Sequence, residues 1–290
     1  MKKKKTLRLL LPQWQGGDNP NYVFGSELLA HIVPQSTVSE TVRISVNQDF
    51  EKDRPIEQGV KNERALMKQL DEAMAVLENK APDKVIVLGG DCAVSQAPFD
   101  YLNGRYGGKL GILWLDAHPD VATTEETSHG HEMVLGNLLG EGAPAFAEKV
   151  KHPFQPNQVM FAGLKYEELR SRDQAVNRLN LRYVTPQDVK DSSEPILAWI
   201  KENDIQYLAV HFDLDVLSPI DFRSTYFSEP YLEEFGAAVG ELTLNQIVRI
   251  LTDASEQAEI VGLSIAEHLP WDAMNLRQAL AKISIFDDSE

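Results

Sequence analysis

The chain has 290 residues, 28 basic and 44 acidic, and a formal net charge of −16. A chain of this length buries a large core without a disulfide or zinc staple, and its single cysteine excludes an internal disulfide, a zinc finger and an iron–sulfur cluster. The acidic balance argues against nucleic acid or anionic lipid as the main partner.

Lys2 to Lys5 precede Leu7-Arg8-Leu9-Leu10-Leu11, a run that carries a charge and stops at Pro12. It is too short for a signal peptide and reads as a first buried strand behind a solvated basic tip. Further strands are expected at 41–46, 84–88, 110–115, 158–163, 181–184, 206–212 and 259–265. Val85-Ile86-Val87-Leu88 and Ile112-Leu113-Trp114-Leu115 are continuously apolar, as parallel strands covered on both faces should be. Helices are expected between them. Over 62–79, Leu66, Leu70, Ala73, Met74 and Leu77 recur at helical spacing, with Glu63, Lys68, Asp71 and Glu72 on the remainder. Residues 192–202, 243–253 and 271–286 read the same way, and Pro270 is a start signal for the last. The alternation implies a three-layer α/β fold with a mainly parallel sheet. Residues 216–241 show no periodicity, and a loop of that length is a functional candidate. No run of ~20 apolar residues exists to cross a membrane, so a cytoplasmic location is expected.

Ligands of open α/β sheets bind at the carboxyl ends of the strands. Four strand ends here carry chemistry: Gly89-Gly90-Asp91-Cys92, Asp116-Ala117-His118-Pro119-Asp120, Asp213-Leu214-Asp215, and Ser264-Ile265-Ala266-Glu267-His268. Asp116, His118 and Asp120 alternate, as do Asp213 and Asp215, so each set shares a direction if extended. Carboxylates this close repel one another, and burial worsens the conflict. A divalent cation resolves it; aspartates and one imidazole suit manganese or magnesium, and four carboxylates admit two ions roughly 3.5–4 Å apart. Gly89-Gly90 lacks both the dinucleotide spacing and the P-loop lysine, and reads instead as a tight turn below a site.

In this order, the four motifs resemble the arginase/agmatinase (ureohydrolase) superfamily over roughly residues 84 to 285. The resemblance implies one α/β/α sandwich over residues 1–290, a parallel sheet of about eight strands, homo-oligomeric assembly and two manganese ions. It implies hydrolysis of a C–N bond in a small guanidino or amidino substrate by a metal-activated water. Carried over by position, Asp116 and Asp213 bridge both metals, Asp120 completes the first site, and His118 and Asp215 complete the second. His129 takes the place of the proton-shuttling histidine, with His131 as its neighbouring alternative, and Glu267 that of the acid pairing with the guanidinium.

Two departures bear on function. Cys92 stands where the family usually has a histidine ligand of the first metal. Either its thiolate binds, softening the metal preference, or it is a buried neutral thiol and one ion remains. Residues 121–127 lack the asparagine that arginases place two residues beyond the position of Asp120, so plain L-arginine is not the expected substrate. Arg223, Tyr226 and Tyr231 in the long loop are candidates for a lid or a carboxylate contact. Two other readings stay open: a mononuclear amide hydrolase of the deacetylase type, and a family member without efficient catalysis that serves binding or regulation.

Overall fold

The structure, a computed structural model, describes residues 4–50, 53–280 and 282. Among these, eight strands form one sheet: β1 (Thr6–Leu11), β2 (Glu40–Arg43), β5 (Lys84–Gly89), β6 (Leu110–Leu115), β7 (Val159–Ala162), β8 (Arg182–Val184), β9 (Tyr207–Asp213) and β10 (Glu259–Ala266). Two two-residue strands, β3 (Ile56–Glu57) and β4 (Val60–Lys61), make a separate antiparallel hairpin. The sheet order is β2-β1-β5-β10-β9-β6-β7-β8, and every neighbouring pair is parallel.

The layers follow from the alternation of side chains along each strand. Ile112 and Trp114 of β6 point into a core shared with Leu66, Leu70 and Leu77 of α2 (Glu63–Lys80) and Leu102 of α3 (Gln96–Arg105). Leu113 and Leu115 point the other way. They join Trp199 and Ile200 of α7 (Glu194–Glu202) and Ile247 and Ile250 of α8 (Leu244–Gln257). Trp14, Tyr22, Trp271 and Met274 form a third cluster that joins α1 (Asn21–Ile32) to α9 (Trp271–Leu280) near the chain ends. Short helices α4 (Val134–Leu138), α5 (Pro144–Ala147) and α6 (Ala175–Arg178) fill the connections. No helix among the described residues is long and apolar enough to cross a membrane.

All eight expected sheet strands form, and most bounds shift by one or two residues. The second is cut back from 46 to Arg43 because it is an exposed edge strand paired only with β1. The helix expected at 243–253 runs on to Gln257, opened by a Thr243–Gln246 capping box. The helix expected at 271–286 is described to Leu280, and its remainder apart from Lys282, in a turn, lies outside the described residues, as do Lys2 and Lys3 of the basic tip. Helices α1 and α3 were not expected from the sequence. In α3, Gln96, Ala97, Pro98, Phe99, Asp100, Leu102 and Asn103 are all buried, so no amphipathic stripe marks it.

Residues 216–241 are irregular apart from a 3-10 turn at Tyr226–Ser228. They are tied down nonetheless. Leu242 N donates to Val216 O, Leu269 N to Ser224 O, and Trp271 Nε1 to Thr225 O.

Candidate metal centre

Strands β5, β10, β9 and β6 are consecutive at the middle of the sheet, so their carboxyl ends open onto one place. There they form the floor of a cleft of about 590 Å3 that Cys92, Asp116, His118, Asp120, Asp213, Asp215 and Glu267 all line. Local backbone geometry puts them there. After β5 the chain turns so tightly that a Cβ on Gly90 would lie 1.7 Å from Gln13 O. Asp91 clamps the turn: its carboxylate accepts from the backbone N–H groups of Gly16, Gly17 and Ala93, and Cys92 follows into the floor. Asp120 and Glu267 both sit at positive φ, 51° and 61°, a left-handed conformation uncommon for non-glycine residues. Leu135 N and Gly136 N hold Asp120 by its carbonyl, and Glu267 N donates to Gly90 O.

The donor atoms fall into overlapping groups. One ligand atom each from Asp116, His118 and Asp215 lies within 4.8 Å of the others; the same holds for Cys92, Asp116, Asp120 and His211, and for Cys92, Asp213 and Glu267. His118 Nδ1 is 2.9 Å from Asp215 Oδ2 and 3.5 Å from Asp116 Oδ1. Asp213 accepts the Cys92 thiol at 2.8 Å on one oxygen and the Asp215 N–H at 2.7 Å on the other. Three atoms of the floor, His118 Nε2, Asp120 Oδ2 and His211 Nε2, are buried with no hydrogen-bond partner among the described residues. Orphaned buried donors and acceptors are costly, so their convergence on a carboxylate cluster fits a bound cation.

Electrostatics says the same. Burial, and then the neighbouring Asp215 charge, push Asp116 up to about 7 and Glu267 to about 8. Burial with carboxylate neighbours also drives Asp120 and Asp213 well above the usual range. Asp215 goes the other way: burial raises it, but His118 facing it, together with hydrogen bonds from Asp116 and the Ala117 N–H, brings it below its ordinary value. The Asp215 and Asp116 carboxylates in turn raise His118 well above its own. The Cys92 thiol is pushed up by burial and by Asp213 and Glu267. Five carboxylates crowd one floor with His118 as the imidazole among them, and divalent metal is the species that lets them ionise together.

The walls differentiate the two candidate histidines. Both line the cleft, with ring centroids 5.8 Å apart. His131 is fixed through Nδ1 to Gly16 O at 2.8 Å, and burial lowers it to about 4. His129 is half-buried, and its ring makes no hydrogen bond among the described residues. On the other wall Arg170 and Arg172 share Glu132 Oε1 at 3.0 and 3.1 Å. From the long loop, Tyr226, Glu229, Phe235, Gly236 and Ala237 reach the cleft. Arg223 and Tyr231, expected there as lid candidates, do not line it; Tyr231 is fully exposed at the turn of the loop. The position two residues beyond Asp120 is Ala122, buried in the core.

Several residues of the site went unread in the sequence: the lining residues Asp18, Asn19, Asn21 and Tyr22 after β1, the Arg170–Arg172 pair, and His211 buried beside the donor atoms. The strand-end rule, applied to Trp14-Gln15-Gly16-Gly17-Asp18-Asn19, would have found the first group. His211 shares the alternation of Asp213, two residues back along β9, and was available to the same rule.

A model of the arginase family matches residues 26–286. The arginase of Staphylococcus aureus strain MRSA252 is 25% identical over 187 residues, which is 61% of this chain and 61% of that one, so the chain spans less than two thirds of this curated relative. The structure of the Entamoeba histolytica arginase in complex with L-ornithine superposes with a TM-score of 0.77 at 17% identity, covering 93% of each chain. The proclavaminate amidino hydrolase of Streptomyces clavuligerus superposes with a TM-score of 0.63 at 16% identity, covering 93% of this chain and 85% of that one. Fold, motif order and family model agree that this chain belongs to the arginase family.

Proposed function

We propose that the protein is a metal-dependent hydrolase of the ureohydrolase type, cleaving a C–N bond of a guanidino or amidino compound other than plain L-arginine. The observation that carries this reading is the buried floor of five carboxylates, split into donor groups that share Asp116 and Cys92. By the family pattern Asp116 and Asp213 would be shared by two ions, Asp120 with Cys92 would hold one, and His118 with Asp215 would hold the other. Divalent ions held there, manganese by the family pattern, supply the Lewis acidity that makes water a nucleophile near neutral pH.

The chain's own residues do the rest. A guanidinium is planar and cationic, and Glu267, held in the floor by its left-handed backbone, accepts paired hydrogen bonds from it and orients its carbon. A guanidinium beside it, with metal in the floor, would favour the ionised form of Glu267 despite burial. The leaving amine needs a proton, and His129, unpinned and half-exposed beside the floor, is suited to deliver it. His131, locked neutral on Gly16, is not. The acidic floor attracts the cationic end of a substrate, while Arg170 and Arg172 give the wall positive charge for an anionic end. The burial of Ala122 removes the position two residues beyond Asp120 from substrate reading. A single domain, homo-oligomeric assembly and a cytoplasmic location remain parts of this proposal.

The test is a turnover screen of metal-loaded protein against arginine, agmatine, guanidinobutyrate and formiminoglutamate, reading urea, ammonia and formamide. Turnover of one or more of the last three, ahead of arginine, is expected. A loaded protein that releases none of these products from any of them would contradict the assignment and favour a binding role.

A further inference from the structure

His211 has no part in the mechanism above, yet its setting is that of a ligand. It projects from β9 beneath the floor and is completely buried. Its ring stacks on Trp114, with centroids 3.7 Å apart and planes at 15°. Trp114 Nε1 donates to Asp116 Oδ2 at 3.0 Å, so one indole fixes both the carboxylate and the imidazole. His211 Nδ1 is 2.8 Å from Ser95 Oγ, which is itself 2.6 Å from Ser264 Oγ. His211 Nε2 faces Asp116 Oδ2 at 3.7 Å, beyond hydrogen-bond range, and has no other partner among the described residues. Nδ1 thus takes the hydrogen bond and Nε2 is left aimed at the donor group of Cys92, Asp116 and Asp120. Metal-binding imidazoles have this arrangement, in which the far ring N–H is donated to a polar neighbour that sets tautomer and orientation.

Resting on the two-ion reading, we propose that His211 is a metal ligand, completing with Cys92, Asp116 and Asp120 an inner site of mixed sulfur, nitrogen and oxygen donors. The short turn Cys92–Ser95 builds that site twice over: its first residue supplies the sulfur, and its last holds the imidazole in place. An ion entering displaces the thiol proton, which leaves to solvent, and relieves the Cys92–Asp213 contact. A thiolate and an imidazole beside two carboxylates favour a borderline-soft ion such as zinc, cobalt or iron(II) more than manganese, whereas the Asp116, His118, Asp213 and Asp215 side keeps its oxygen-rich character. The two positions therefore differ in metal preference.

Cobalt(II) is the probe. The fully loaded wild-type protein should show a thiolate-to-cobalt charge-transfer band and two hyperfine-shifted, exchangeable imidazole N–H protons, one from His118 and one from His211. A single such proton would overturn the proposal without any variant being made. His211→Phe keeps the stack on Trp114 and should fold. It should weaken zinc at one of the two sites by more than about 100-fold, since loss of even an outer hydrogen-bond partner costs about 10–100-fold. Ser95→Ala should weaken the same site by about 10-fold. Unchanged zinc affinity and cobalt spectrum in His211→Phe would refute the role of His211 while leaving the two-ion reading intact. Failure of the wild type to bind any ion would refute both.

Discussion

Stripped of metal, the protein should lose stability as the pH rises from 6.5 to 8, and bound metal should abolish the loss. Glu267 carries the largest readable share. Burial and then the Asp215 charge push it from an ordinary 4.5 up to about 8. A carboxyl raised on folding stabilises the native state fully below its unfolded pKa and loses that contribution as the pH climbs through its folded pKa. From 6.5 to 8 the loss spans about 1.5 pH units, or about 2 kcal/mol at ~1.36 kcal/mol per unit. Asp120 and Asp213 are raised for the same reason, and His118, raised by its carboxylate partners, loses stabilisation in the same direction. Groups of opposite sign are mostly spent in this window. His131 and His211, lowered by burial to about 4 and about 3, and His268, also lowered by burial, gain only while the unfolded imidazole still holds protons, roughly 0.4 kcal/mol each above pH 6.5. The further loss from Asp120, Asp213 and His118 offsets that gain. The ion-paired Asp18 and Asp83 are lowered and fully charged well below pH 6.5. For a chain of this size 1 kcal/mol moves the midpoint by about 2 °C, so the fall is about 4 °C. Thermal melts in chelator and in saturating manganese at pH 6.5 and 8 read it directly. A chelated midpoint that stays level or rises, or an equal fall with manganese bound, would refute the reasoning.

Other outcomes follow from single contacts. Asp120→Asn keeps the left-handed backbone, removes one repelling charge and should raise the chelated midpoint at pH 8 while lowering the metal count by one; a lower midpoint with unchanged metal would contradict the electrostatic account. His129→Asn should reduce kcat by about 10²–10⁴ with little change in melting. His131→Asn should cost about 1 kcal/mol of stability through the lost Gly16 contact, and the reverse pattern would exchange their roles. Gly90→Ala drives a methyl into Gln13 O and should destabilise by at least about 3 kcal/mol in denaturant titration; a neutral effect would mean the turn is not confined as described.

The sheet was legible because its strands are doubly covered and so read as unbroken apolar runs: Val85–Leu88 and Ile112–Leu115 announce themselves. Helix α2 was legible through its single stripe, whereas α3 was hidden because almost every face of it is buried. The ligand-type residues were legible because parallel strands deliver their ends to one edge, so local motifs far apart in sequence must meet. His211 escaped notice because it lies within a strand, two residues before Asp213, where a buried histidine resembles ordinary core. Arg170 and Arg172 escaped because their position depends on the fold of the β7–β8 connection, which no periodicity records. The loop at 216–241 was rightly read as aperiodic, but which of its side chains face the cleft is set by tertiary anchors at Ser224, Thr225 and Leu242.

The central claim is that the five buried carboxylates exist to hold two ions. The most direct test is the metal content of protein purified without chelator and then equilibrated with manganese, counted by elemental analysis against accurately measured protein. The account predicts two divalent ions per chain, falling to one or none in Asp116→Ala. A wild-type count of one or zero across divalent ions would contradict it.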